Sequence, residues 1–125
     1  MKGDRFSILK RLHSFTYAFN GLRILFKEEH NARIHLVAAI CAIALAGVLN
    51  VSALEWVAIT IAIGLVISLE AMNSAIENLS DFVSPNRNDN IKRVKDISAA
   101  GVLIASIAAL ATGLLIFIPK IIELC

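Results

Sequence analysis

Charge is scarce where a water-soluble protein needs it. Residues 34–54 are broken only by His35, Asn50 and Ser52, residues 56–74 carry Glu70 and Asn73, and residues 97–118 hold no charge at all. With 58% hydrophobic residues, against roughly 45–50% in soluble globular domains, a soluble fold is excluded. Each stretch is close to the ~20 residues that a spanning helix requires. At 125 residues the chain makes a single membrane-embedded domain. Cysteine is sparse too. Cys41 lies inside the first apolar stretch and Cys125 at the C-terminus, a placement that excludes a disulfide pair and reads as two free thiols. The basic N-terminal stretch is not followed by a short apolar core with a small-residue cleavage site, so no cleaved secretory signal is expected. Lys and Arg are absent between the first two spans. Seven precede the first span, four (Arg87, Lys92, Arg93, Lys95) lie between the second and third, and Lys120 follows. The positive-inside rule then places the N-terminus in the cytoplasm and the C-terminus outside.

What the chain does carry is concentrated in one run, Glu70-Ala71-Met72-Asn73-Ser74-Ala75-Ile76-Glu77, with Asp81 just beyond. It continues out of the uncharged stretch from Trp56 to Leu69. A carboxylate in such a segment is costly and marks a functional site by default. At ~100° per residue, Glu70, Asn73, Glu77 and Asp81 fall within a stripe roughly 80° wide. Acids stacked on one face require a neutralising partner: a cation, a basic side chain or a bound substrate. Trp56 to Glu70 is about 21 Å of helix, two-thirds of a ~30 Å hydrocarbon core, so Glu77 and Asp81 emerge at the cytoplasmic interface.

Upstream, Ile8, Leu12, Phe15, Phe19, Leu22 and Phe26 recur at 4-3-4-3-4 spacing, which predicts an amphipathic surface helix over 5–28. Lys10, Tyr17 and Arg23 on it could touch a ligand at the interface, or the helix could serve only as an anchor. The polar cluster from Lys27 to His35 joins this helix to the first span. It reads as a solvated junction or as a source of a carboxylate that shares a cation with Glu77. Ala38, Ala42 and Ala46, and Gly101, Ala105, Ala109 and Gly113, are small-residue stripes suited to close helix packing. Membrane helices are expected over about 32–52, 55–83 and 95–120. The polar segment from Ser84 to Asp96 reads as a turn and a basic loop, a composition that suits a phosphate-bearing polyanion carried by a divalent cation. No Walker-type glycine loop and no protein-kinase signature is present, which excludes those nucleotide sites.

These residues together strongly resemble the bacterial membrane-embedded diacylglycerol kinase and undecaprenol kinase family, over nearly the whole chain. The resemblance is carried by Glu-x-x-Asn-Ser-Ala-x-Glu-x-x-x-Asp from Glu70 to Asp81, by Lys95-Asp96, and by Tyr17 with Gly21-Leu22-Arg23. It implies an all-α homotrimer in the bacterial cytoplasmic membrane that transfers the γ-phosphoryl group of ATP to a lipid hydroxyl, with active sites at subunit boundaries and no nucleic-acid partner. By motif position Glu70 is the catalytic base, and Glu29 and Glu77 hold the Mg2+ of MgATP. Lys10, Tyr17, Asn86, Arg87, Asn88, Lys95 and Asp96 join them around the nucleotide, while Arg23, Asn73, Asp81 and Ala99 are supporting or substrate positions. Such a constellation matches what phosphoryl transfer needs, which is positioning, a cation on the phosphate oxygens and a base near the acceptor. Lys10 stands where the enterobacterial pattern has Arg, His35 where it has Glu, and Ala99 where it has Ser. The segments Asn31–His35 and Ser98–Gly101 look more like the Gram-positive-type branch, which favours undecaprenol, so the acceptor stays open between the two lipids.

Two readings from other classes compete. A small oligomeric cation or proton-coupled carrier would also line one helical face with carboxylates. A scaffold subunit would use Glu70 only to pair with a basic neighbour. Against the carrier, the carboxylates cluster in one half of the membrane, and no polar relay crosses the other.

Overall fold

The computed structural model describes residues 7–125, which form four helices and no strands: α1 (Ile8–Glu28), α2 (His30–Val48), α3 (Ala53–Val83) and α4 (Asp89–Leu124). The expected start of the first helix at residue 5, with Lys2 and Arg5, lies outside the described residues. Three of the four, α2, α3 and α4, are long and apolar enough to cross a membrane, so the chain is a multi-pass membrane protein. α3 is the central element. It packs along α4 for most of its length and along α2 on another side, while α1 touches both α2 and α3.

Two short turns set this arrangement. After Val48 the chain closes a Schellman motif: the Val51 N–H donates to the Ala46 carbonyl at 3.2 Å and the Asn50 N–H to the Gly47 carbonyl at 3.4 Å. Asn50 takes the left-handed conformation (φ 52°), which Asn tolerates better than most residues. Val51 is buried against Ala46, the apolar contact that accompanies this motif. The first span therefore stops at Val48, not residue 52. Ser52 then caps α3 in a reciprocal capping box: its hydroxyl accepts from the Glu55 N–H at 3.1 Å, and the Glu55 carboxylate accepts from the Ser52 N–H at 2.9 Å.

At the other end, Ser84 precedes Pro85, a position disfavoured in helix, and α3 ends at Val83. The side chain of Asn88 accepts from the Asn90 and Ile91 N–H groups at 2.9 and 3.2 Å. This N-cap starts α4 at Asp89, six residues before the expected 95, and α4 runs on to Leu124. The predicted basic loop from Ser84 to Asp96 is thus a five-residue turn, and Lys92, Arg93, Lys95 and Asp96 ride on the first turns of α4.

Ion pairs pin both ends of the α3–α4 hairpin. Lys120 Nζ lies 3.1 Å from Glu55 Oε1, and Lys95 pairs with Asp81. The pairs are 26 residues apart on α3 and 25 on α4, an antiparallel register held over about 38 Å. Between them the buried apolar residues are few: Ile59 and Val66 on α3, and Ala105 and Ile116 on α4. On α2 the buried seam is Ala32, Ala39 and Ala46, a seven-residue repeat. This corrects the expected Ala38–Ala42–Ala46 stripe, since Ala38 is exposed and Ala42 half-buried. Large apolar side chains elsewhere on α2 to α4 point outward, as lipid allows. The α1 stripe also faces away from the bundle, with Ile8, Phe15 and Phe19 all more than 60% exposed. The residue that docks α1 is Leu25, 3% exposed, roughly 100° around the helix from that stripe.

Candidate functional site

The acidic stripe of α3 continues its core stripe. Ile59, Val66, Glu70 and Ser74 are all buried and share one side of the helix within roughly 80°. The face that docks α3 against its neighbours therefore changes from apolar to acidic at Glu70. Burial then relaxes along the helix, from Glu70 at 3% exposure through half-buried Asn73 and Glu77 to an exposed Asp81.

Glu29 reaches this face from the corner between α1 and α2, where it ends one helix and caps the next in an extended conformation (φ −101°, ψ 113°). Leu25 and Ala32, buried on either side of it, fix the corner against the bundle. The Glu29 side chain makes no capping bond to α2. Its Oε1 instead accepts a hydrogen bond from Ser74 Oγ at 3.0 Å. His35, one turn into α2, brings Nε2 to 3.1 Å from Glu70 Oε1. That contact is a close approach rather than an aligned hydrogen bond, because Glu70 Oε1 and Asn73 Oδ1 are both buried without a hydrogen-bond partner. Buried polar atoms are rarely left so. Glu29 and Glu77 are near enough for their charges to act on Glu70.

Among the described residues no three His, Cys, Asp or Glu side chains converge as a metal cage. Two carboxylates do suffice for a Mg2+ that keeps waters and takes phosphate oxygens as its other ligands. Ser74, whose hydroxyl holds Glu29, lies three residues before Glu77 on α3.

The positions expected around a nucleotide are dispersed. Lys95 is engaged by Asp81 across the helix pair, while Asp96 is engaged by Lys92 on its own helix at 2.7 Å. Arg87 lies 3.9 Å from Asp89, Asn88 is the α4 cap, and the Asn86 carbonyl accepts from Ser84 Oγ at 3.0 Å. Lys10, Tyr17 and Arg23 lie on exposed positions of α1, with Lys10 about 28 Å and Tyr17 about 18 Å of helix before Glu29. Ala99 is exposed on α4.

Sequence reasoning placed neither Ser74 nor His35 in the site. Helical phase held the signal for both: Ser74 is one turn from Glu70, and His35 lies three residues after Ala32 and four before Ala39, on the buried seam. A third feature was invisible in the sequence. α2 and α4 lie on different sides of α3 and leave an apolar groove of about 560 Å³ between them, lined by Ala38 and Ala42 of α2, Ile63 of α3, and Ala109, Gly113 and Phe117 of α4, with His35 also in its wall.

The family model for prokaryotic diacylglycerol kinase matches residues 16–117. The chain is 34% identical to an undecaprenol kinase of Bacillus subtilis over 121 residues, covering 96% of this chain and 98% of the relative. It is 35% identical to a diacylglycerol kinase of Escherichia coli K12 over 96 residues, 77% and 79% of the two chains. A diacylglycerol kinase of Synechocystis is 32% identical over 114 residues, 90% of this chain and 65% of the relative. With its helical architecture and its acidic stripe, the chain belongs to the prokaryotic diacylglycerol kinase family.

Proposed function

We propose that the protein is an ATP-dependent lipid kinase that phosphorylates the hydroxyl of diacylglycerol or undecaprenol. The observation that carries this reading is Glu70, a buried carboxylate with an unpartnered oxygen on a membrane-spanning helix, beside the further carboxylates Glu29 and Glu77. Names of the relatives, undecaprenol kinase and diacylglycerol kinase, support the same chemistry.

In this mechanism Glu70 accepts the proton of the lipid hydroxyl as its oxygen attacks the γ-phosphorus. The new O–P bond forms as the bond to the β-phosphate oxygen breaks, and ADP leaves. Glu29 and Glu77 would hold the Mg2+ of MgATP, with Ser74 fixing the Glu29 carboxylate. Such an ion would supply charge neutralisation on the phosphate oxygens. Asp81 holds Lys95 at the edge of the site, where an ammonium group meets phosphate. The apolar groove takes the acyl or prenyl chain. Lys10 and Tyr17 lie far along α1 from Glu29, an arrangement that suits a homotrimer in which a neighbour supplies them. The distribution of Lys and Arg supports an acidic end at the cytoplasmic face of a bacterial inner membrane.

A carrier would need a polar path across the membrane. Between Glu55 and Glu70, about 22 Å of α3, there is no charged residue, and Glu55 is itself engaged by Lys120.

The test is transfer of labelled phosphate from ATP by the purified protein in mixed micelles, with diacylglycerol and undecaprenol offered side by side. Transfer to one lipid, lost by about 10²-fold or more in Glu70→Gln while MgATP still binds, is the expected result. A folded protein that binds Mg2+ and transfers to neither lipid overturns the kinase reading in favour of the carrier.

A further inference from the structure

We infer that His35 is a positioning residue for the transfer step, holding the Glu70 carboxylate toward an acceptor hydroxyl at the polar end of the apolar groove. The inference rests on the lipid-kinase reading and adds to it a residue outside the acidic motif.

Three observations carry it. The first is proximity: His35 Nε2 stands 3.1 Å from Glu70 Oε1, and no other basic side chain pairs with Glu70 among the described residues. A carboxylate oxygen accepts, so the imidazole serves Glu70 as a donor when the hydrogen sits on Nε2. The second is location. His35 belongs to the groove wall with its side chain 26% exposed, while the Glu70 side chain is 4% exposed. The imidazole therefore borders both the groove and the carboxylate. The third is elimination. The other polar side chains in the groove wall are Ser106 and Thr112, and each hydroxyl donates to its own helix, to the Val102 and Ala108 carbonyls respectively, both at 2.8 Å. An alcohol whose chain fills the groove finds one uncommitted polar end, at His35, which stands 3.1 Å from Glu70.

A carboxylate base in a sparsely packed bundle needs its orientation fixed by a neighbour, because misplacement of a reacting group by ~1 Å can cost about 10²-fold in rate. Glu70 Oε1 has no hydrogen bond of its own to do this. His35 comes from a different helix, so the orientation of the base is set by the docking of α2 on α3.

Initial rates of phosphate transfer, with lipid varied at saturating MgATP and with MgATP varied at saturating lipid, test this on the full chain in mixed micelles. His35→Ala is expected to lower kcat by about 10²-fold and leave the KM for MgATP within about twofold of wild type. His35→Gln, whose amide can donate at a similar reach, is expected to recover at least about tenfold of the loss. His35→Leu fills the volume without a donor and should behave as Ala does, so it keeps the test open if Ala unfolds; thermal midpoints of all three are measured in the same micelles. A folded Ala or Leu variant with wild-type kcat overturns the inference, as does a Gln variant no better than Leu. If the wild type itself transfers to neither lipid, the kinase reading and this inference fall together; active wild type with indifferent His35 variants removes the inference alone.

Discussion

The two ends of α3 are built on opposite principles. At the end joined to α2, the polar groups of the turn have partners: Ser52 and Glu55 satisfy each other, Lys120 closes on Glu55, and the Schellman bonds use the last carbonyls of α2. At the acidic end, Glu70 and Asn73 each leave a buried oxygen unpaired, and the carboxylates of Glu29 and Glu77 add negative charge beside them. A chain selected only for folding would treat both ends alike. On the proposed function, the unpaired end is the one that receives nucleotide and lipid.

Breaking the acidic end should therefore cost function more than fold. Glu29→Gln and Glu77→Gln each remove one carboxylate from the proposed metal pair, and each is expected to raise the Mg2+ concentration for half-maximal transfer by at least about tenfold. Magnesium titrations of transfer check this, and an unchanged requirement in both variants would remove these residues from the metal shell. Thermal stability should hold or rise, since a charge near other carboxylates is lost.

A smaller effect is expected where the two principles meet. Asp81 and Lys95 pin the α3–α4 hairpin and also border the site. Both are solvent-exposed enough for the pair itself to add little to stability. Lys95→Ala should lower transfer more than Asp81→Asn does, because it removes the ammonium group as well as the pair. A double-mutant cycle on transfer rate that finds the two changes simply additive would mean Asp81 does not act through Lys95.

Much of this contrast is legible in the sequence, because the membrane makes apolar stretches long and carboxylates conspicuous. The spacing of Glu70, Asn73, Glu77 and Asp81 gives their shared face directly, and three spans follow from hydropathy. The end of α2 and the start of α4 were less legible, because Asn50 and Asn88 set them through backbone conformation and side-chain capping rather than through hydropathy. His35 was read with the junction cluster, since a polar residue at a span's edge looks solvated until the heptad of Ala32, Ala39 and Ala46 shows that its side faces inward. The groove depends on how far α2 and α4 stand apart across α3, a distance that no single helix encodes.

The mildest prediction concerns the satisfied end, and it makes the comparison sharpest. Asn50 sits at φ 52°, a region that costs a residue with a Cβ about 1–2 kcal/mol unless its side chain tolerates it. Asn50→Ala should therefore lower unfolding stability in micelles by about 1 kcal/mol, while Asn50→Gly should match or exceed wild type. Ser52→Ala removes the hydroxyl half of the capping box and should cost about 1 kcal/mol as well. Per folded molecule, phosphate transfer should be unchanged in all three, because about 27 Å of helix separates Ser52 from Glu70. Denaturant or thermal melts paired with transfer rates on the same samples check both halves of the claim. A loss of transfer without a loss of stability would mean that the α2–α3 turn tunes the site, through the angle at which α2 carries His35 and Glu29 to α3, and the division between a holding end and a working end would fail.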